Sequence, residues 1–136
     1  MTALGIDLGH ARTGLAVSDG TGFLASSLCV ITERSDNKLI DKIAEKAAEI
    51  GAEVLVVGLP RNMDGSEGES AVRARDIAAR LGKKTGLPYV MQDERGTTMT
   101  AHAYLNSGSV YGKKRKQRVD AVAACVILQD YLDSQR

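Results

Sequence analysis

The sequence predicts an α/β fold built on a five-stranded mixed sheet flanked by helices. The first third reads as three short strands in an antiparallel meander, joined by glycine-rich polar turns. From there on helix alternates with strand, which implies helices packed on both faces of the sheet. The run Glu53-Val54-Leu55-Val56-Val57-Gly58 lacks polar alternation, as expected of a central strand covered on both sides.

The elements follow in order. Residues 3–7 and 14–19 form a hairpin around the turn Leu8-Gly9-His10-Ala11-Arg12-Thr13, and residues 23–31 supply the third strand. Ser35 is a natural N-cap for a helix in which Leu39, Ile40, Ile43, Ala47 and Ile50 recur at helical spacing up to Gly51. The central strand ends at Leu59-Pro60. Beyond the loop Arg61-Asn62-Met63-Asp64-Gly65, Ser66-Glu67-Gly68-Glu69 has the pattern of a capping box. It opens a helix with Ala71, Ala74, Ile77, Ala78 and Leu81 on one face, closed by Gly82 and Gly86. Residues 88–93 are the fifth strand, 97–106 a short helix, and 119–131 a final helix with Val122, Val126 and Ile127 turned inward. Residues 107–116 read as a charged loop. No repeat, low-complexity tract or linker interrupts the chain, so a single domain over residues 1–136 is expected.

Hydrophobic residues make up 43% of the chain and charged residues 26%, a globular composition that excludes wholesale disorder. Eighteen Lys and Arg against seventeen Asp and Glu leave a net charge of +1, so bulk charge argues for neither nucleic acid nor membrane. Cys29 and Cys125 both sit in apolar surroundings, which favours free thiols in a reducing compartment over a bridge. The amino terminus lacks the charged start and apolar run of a signal peptide, and no run approaches the length of a transmembrane helix. A soluble, cytoplasmic protein is expected.

Three separated segments end in acids. Asp7 closes the first strand before a glycine turn, Asp93 and Glu94 close the fifth, and Asp120 stands at the start of the last helix. Singly each has a structural explanation: a turn former, a solvated pair, a helix-dipole partner. Brought together they form a cluster of like charges that raises at least one pKa unless a cation is bound. Oxygen-only ligands select hard ions, so Mg²⁺ or Mn²⁺ is the matching occupant. No His/Cys cluster has zinc spacing, and no loop ends in Gly-Lys-Ser/Thr.

The densest charge run is Lys113-Lys114-Arg115-Lys116, followed by Arg118. Such runs are often merely solvated, but this one precedes a helix N-terminus, where cations meet the positive end of the macrodipole at a cost of roughly a few tenths of a kcal/mol each. A phosphate backbone would offset that cost. Aromatic residues are only 4% of the chain, too few for a base-stacking platform. His10 and His102 carry no such signal. Arg12, Arg61 and Arg95 flank the acids and either hold phosphates or balance the carboxylates.

Four ordered blocks resemble one family. They are Gly5-Ile6-Asp7-Leu8-Gly9 with Arg12-Thr13-Gly14-Leu15-Ala16; Val57-Gly58-Leu59-Pro60 with Asn62-Met63-Asp64-Gly65; Asp93-Glu94-Arg95 with Thr98 and Ala101; and Val119-Asp120 with Ala123-Ala124 and Ile127-Leu128. Together they look like the YqgF family, also called RuvX. The resemblance implies a ribonuclease H-like fold related to the RuvC junction resolvases. It also implies nuclease activity in maturing the 5′ end of the small-subunit (pre-16S) ribosomal RNA precursor, with Holliday junction resolution as the older proposal. Carried over by position, the acidic site falls on Asp7, Asp120 and a middle acid, Glu94 with Asp93 beside it. RuvC-type resolvases take that middle acid from the central strand, where this chain has Gly58-Leu59-Pro60, and place a second acid one turn along the last helix, where this chain has Ala123.

The expected chemistry is metal-assisted phosphodiester hydrolysis, with Asp7, Glu94 and Asp120 holding one or two Mg²⁺ or Mn²⁺ ions. Lys113, Lys114, Arg115, Lys116 and Arg118 would grip the nucleic-acid backbone, and Arg12 and Arg95 would lie nearer the scissile phosphate. The expected partner is structured precursor rRNA or branched DNA, bound by a monomer or weak homodimer. Symmetric junction cutting would require a twofold dimer. Two other classes compete: an ATP-binding module of the actin and sugar-kinase type, which needs two domains around the nucleotide, and a non-catalytic RNA-binding assembly protein using the basic run alone.

Overall fold

The computed structural model describes residues 1–94 and 112–135, with the side chains of the last helix described from residue 121 onward. Strands β1 (Ala3–Asp7), β2 (Arg12–Ser18), β3 (Ala25–Thr32), β4 (Val54–Leu59) and β5 (Tyr89–Asp93) form one sheet in the order β3-β2-β1-β4-β5. β1, β2 and β3 pair antiparallel, and β4 runs parallel to both β1 and β5. This is the expected meander extended by two parallel strands. The carboxyl ends of β1, β4 and β5 therefore lie along one edge of the sheet, where loops converge.

Helices α1 (Asp36–Ile50), α2 (Glu69–Thr85) and α3 (Gly112–Ser134) cover the two faces. Leu4, Ile6, Leu55 and Val57 pack with Leu39, Ile43, Ile77 and Leu81, so α1 and α2 share one face. Ala3, Val54 and Val56 pack with Ala124, Ile127, Leu128 and Tyr131, so α3 holds the other. Each fully buried Leu or Ile contributes about 1.5–3 kcal/mol. The strand period of two sorts the residues: on β1 the even positions face α1 and α2, and the odd positions, including Asp7, face α3.

Local chemistry sets the helix ends. Ser35 caps α1, its Oγ accepting from the Lys38 N–H at 3.3 Å, and Gly51 closes it at φ 66°, a left-handed conformation suited to glycine. The capping box at Ser66 does not form. The Ser66 hydroxyl instead donates to Asp64 Oδ1 at 2.7 Å and accepts from Asn62 Nδ2 at 2.9 Å, and α2 starts from Gly68 with no side-chain cap. Gly82 does not close α2 but lies inside it, where a Cβ would come within 2.9 Å of the Tyr89 ring; Gly86 ends the helix.

The last helix begins at Gly112, seven residues before the expected start, so Lys113, Lys114, Arg115, Lys116 and Arg118 belong to its first turns rather than to a loop. Lys, Arg and Gln are good helix formers, and their propensity prevails over the charge density. The helix expected at 97–106 lies outside the described residues, as does Arg95. Cys29 and Cys125 are free thiols, both half-buried, and Cys125 Sγ lies 3.4 Å from Ser27 Oγ. Among the described residues no helix is long and apolar enough to cross a membrane.

Candidate active site

The site is built where β1, β4 and β5 end. Asp7 is the last residue of β1, paired across to Gly14 of β2. Glu94 directly follows β5, and its N–H donates to the Leu59 carbonyl at 3.2 Å, which extends the β4–β5 ladder by one residue. Two-residue alternation puts Asp7, Gly58 and Glu94 on the α3 face: Val56 and Val90 pack with the α3 cluster, whereas Met91 packs with the α1–α2 cluster.

Gly58 makes the convergence possible. A Cβ at this position would sit 2.7 Å from Glu94 Oε2, 3.0 Å from Glu94 Cδ and 2.6 Å from Ile127 Cδ1. The Glu94 carboxyl thus occupies the space a β4 side chain would otherwise fill, and it reaches Asp7, to which it is hydrogen-bonded. Burial pushes the Glu94 carboxyl up to about 9 from 4.5, helped by the Asp7 charge, by the hydrogen bond to Asp7 and by the Asp93 charge. Without a cation, burial and mutual repulsion favour a proton held between the two carboxyls.

Asp93 faces the other way. Its Oδ2 lies 3.8 Å from Arg61 Nη1, and Arg61 Nε lies 3.6 Å from Glu67 Oε2. Glu67 in turn accepts from Arg75 Nε at 2.8 Å and Nη2 at 2.9 Å. Arg61 thus balances carboxylates in a charged chain along the β4–α2 loop. Of the two adjacent acids, Glu94 faces Asp7 and Asp93 serves this network.

The α3 backbone packs closely against β1. Gly5, two residues before Asp7 on the same face, lets α3 approach so closely that a Cβ there would meet Leu128 Cβ at 2.8 Å and the Ala124 carbonyl oxygen at 3.2 Å. Tyr131 and Leu132 pack in the same cluster as Ala3, so α3 runs antiparallel to β1. The backbone of position 120 lies in α3, one turn before Ala124. The side chains of Asp120 and of the basic run lie outside the described residues. Arg12 opens β2 and is half-buried, and His10 is exposed on the preceding turn.

The pair fits a hard divalent cation. Two carboxyl groups with oxygen donors only, partly buried and retaining a proton between them, form a donor set whose proton such an ion would replace. Among the described residues no group of three His, Cys, Asp or Glu could hold a metal; a hard ion such as Mg²⁺ is commonly held by one or two carboxylates together with water and phosphate oxygens. Sequence reasoning missed Gly58 as the seat for Glu94. The available signal was a glycine inside an otherwise β-branched central strand, which marks close approach of another group.

Comparison with known proteins agrees with this architecture. A chain from Geobacillus kaustophilus named "Putative pre-16S rRNA nuclease" is 43% identical over 139 residues, covering 100% of both chains. One of the same name from Anaeromyxobacter sp. (strain Fw109-5) is 43% identical over 135 residues, covering 99% of this chain and 98% of the relative. Among solved structures, Thermus thermophilus RuvC in complex with a Holliday junction substrate aligns over 99% of this chain and 95% of its own, with a TM-score of 0.63 at 14% identity, a likeness of fold. The family described as "RuvX: Holliday junction resolvase" matches residues 1–134, and the chain belongs to that family of nucleases.

Proposed function

We propose that this chain is a metal-dependent endonuclease that trims the 5′ end of the small-subunit ribosomal RNA precursor, with Asp7, Glu94 and Asp120 holding one or two Mg²⁺ or Mn²⁺ ions. The observation that carries the reading is the Asp7–Glu94 carboxyl pair seated over Gly58 at the carboxyl edge of the sheet. The relatives' shared name supports precursor rRNA as the substrate.

When bound, such an ion supplies Lewis acidity toward the phosphodiester and a more acidic water. The chain's own residues prepare that chemistry. Asp7, fixed by its strand pairing, offers a carboxylate at a constant position. Glu94, held down by the ladder bond to Leu59, would help hold such an ion only as its carboxylate, so binding would be favoured as pH rises toward its raised range. Asp93 stays with Arg61 and keeps negative charge beside Glu94. The cations of the α3 amino end, Lys113, Lys114, Arg115, Lys116 and Arg118, together with Arg12 and Arg95, bind the nucleic-acid backbone and orient it without reading sequence.

The family description favours a second reading, resolution of four-way DNA junctions. One experiment separates the two. Purified protein is incubated with precursor rRNA and with a synthetic four-way junction, each with Mg²⁺, Mn²⁺ or chelator, beside Asp7→Asn and Asp120→Asn controls. Ion-dependent rRNA trimming that both substitutions abolish is the expected result. Symmetric junction cutting by a dimer would support the resolvase. Cleavage that survives chelator or Asp7→Asn would refute the acidic site. Retained RNA binding and unaltered function in cells despite Asp7→Asn would identify a non-catalytic assembly protein.

A further inference from the structure

The turn after Asp7 is held from the far side of the sheet by a residue of α2. Arg73 Nη1 donates to the Gly9 carbonyl at 2.9 Å, while its Nε and Nη2 donate to Asp36 Oδ1 at 3.2 and 2.9 Å. One guanidinium thus ties the β1–β2 turn, the first turn of α1 and α2 together. Its planar fork suits this task, because separate N–H groups can serve the carboxylate and the carbonyl at once. The turn itself is compressed: a Cβ on Gly9 would lie 2.1 Å from the Arg12 carbonyl oxygen, so the chain folds back against its own backbone at this point. On its other flank the Glu33 N–H donates to the Ala11 carbonyl at 2.9 Å.

We propose that Arg73 is a positioning residue for Asp7: by gripping the Gly9 carbonyl two residues along, it fixes where the Asp7 carboxylate stands relative to Glu94. This rests on the reading of Asp7 as a metal-holding carboxylate. Arg73 acts from the α1–α2 face and Asp7 presents its side chain to the α3 face, so the effect passes through the turn rather than through contact with metal or substrate. Groups hydrogen-bonded directly to a metal-holding side chain change metal affinity or activity by about 10–100-fold when removed, and a hold acting through the turn sets its effect at the low end of that range.

The test uses the full chain carrying Arg73→Met, Arg73→Lys or Asp36→Asn, with Asp7→Asn for reference. Four readouts are taken: amide hydrogen exchange of residues 8–12 in metal-free protein, Mn²⁺ binding by calorimetry, the Mg²⁺ dependence of cleavage, and metal-free RNA binding. Arg73→Met should speed exchange in the turn, weaken Mn²⁺ binding about tenfold or more, and shift the Mg²⁺ requirement upward while RNA affinity holds. Arg73→Lys, which can serve the carbonyl or Asp36 but not both, should fall between. If Arg73→Met fails to fold, Arg73→Lys and Asp36→Asn decide the question by the same readouts. Unchanged exchange and unchanged Mn²⁺ affinity would overturn the proposal. Lost RNA affinity with an unaltered Mg²⁺ requirement would do so too, by making Arg73 a substrate contact. A wild-type protein that binds Mn²⁺ no better than Asp7→Asn defeats the functional reading instead, and hydrogen exchange alone then reports whether Arg73 holds the turn.

Discussion

Replacing Gly58 by alanine adds one carbon in the most sensitive place in the molecule. The new Cβ would stand 2.7 Å from Glu94 Oε2 and 2.6 Å from Ile127 Cδ1, whereas unstrained carbon contacts begin near ~3.5 Å. Both neighbours are the far ends of flexible side chains, so relief comes by swinging them aside rather than by moving β4. Overpacking of this kind costs about 1–3 kcal/mol. The Glu94 carboxyl, however, must give way by most of an ångström, and a displacement of about 1 Å within a reacting constellation can cost on the order of 100-fold in rate. Gly58→Ala should therefore fold, melt a few degrees lower, and lose most of its cleavage. Adding Ile127→Val removes one of the two clashing atoms and should recover stability without recovering cleavage. Gly5→Ala gives the opposite balance: its Cβ meets Leu128 Cβ at 2.8 Å and the Ala124 carbonyl at 3.2 Å, groups that cannot rotate away, so stability suffers first. The assays are urea unfolding and single-turnover cleavage at saturating Mg²⁺. A Gly58→Ala protein that cleaves at the wild-type rate would refute the seating of Glu94 over Gly58.

Three further outcomes are expected. Because the Glu94 carboxyl is raised from 4.5 to about 9, the metal-free native state holds an extra proton across that window, and stability should fall as pH rises through it, by up to about 1.4 kcal/mol per pH unit. Asp7→Asn should narrow this window from its upper end without abolishing it, since burial remains the larger cause; urea unfolding in chelator at several pH values checks the point, and a fall in stability that ends at the same pH in both proteins would count against the coupling. Substituting Lys113, Lys114, Arg115 and Lys116 by glutamine should reduce the dependence of log Kd on log salt by about 0.7–0.9 for each phosphate that is no longer neutralised, read from RNA binding at graded salt. Ser35→Ala should destabilise the protein by about 1 kcal/mol through loss of the α1 cap, measured by chemical unfolding.

Much of this architecture is legible in the sequence because its signals are local. Ser35 and Gly51 bracket α1 as expected, and the apolar spacing of both α1 and α2 matches their buried faces. The departures have local causes too. Ser66 has the sequence of a cap, but Asp64 two residues earlier takes its hydroxyl into the preceding loop. The basic run reads as a loop by its charge, although its residue types favour helix.

The choice between Asp93 and Glu94 is a different matter, because it turns on strand parity. An edge strand with one wet face declares its parity through alternating polar residues, but β4 is buried at all six positions and offers no such mark. In β5 the adjacent apolar residues Val90 and Met91 could each serve either layer. Parity is set by the partners: Val90 packs with the α3 cluster and Met91 with the α1–α2 cluster, so Glu94 inherits the face of Val90 and the company of Asp7. Gly58 carries the complementary information. A glycine there leaves room on the α3 face of β4, and a glutamate hanging from the end of the next strand has the reach to fill it. Taken together, a glycine in β4 and a glutamate at the end of the next strand account for the carboxyl that stands beside Asp7 on the α3 face.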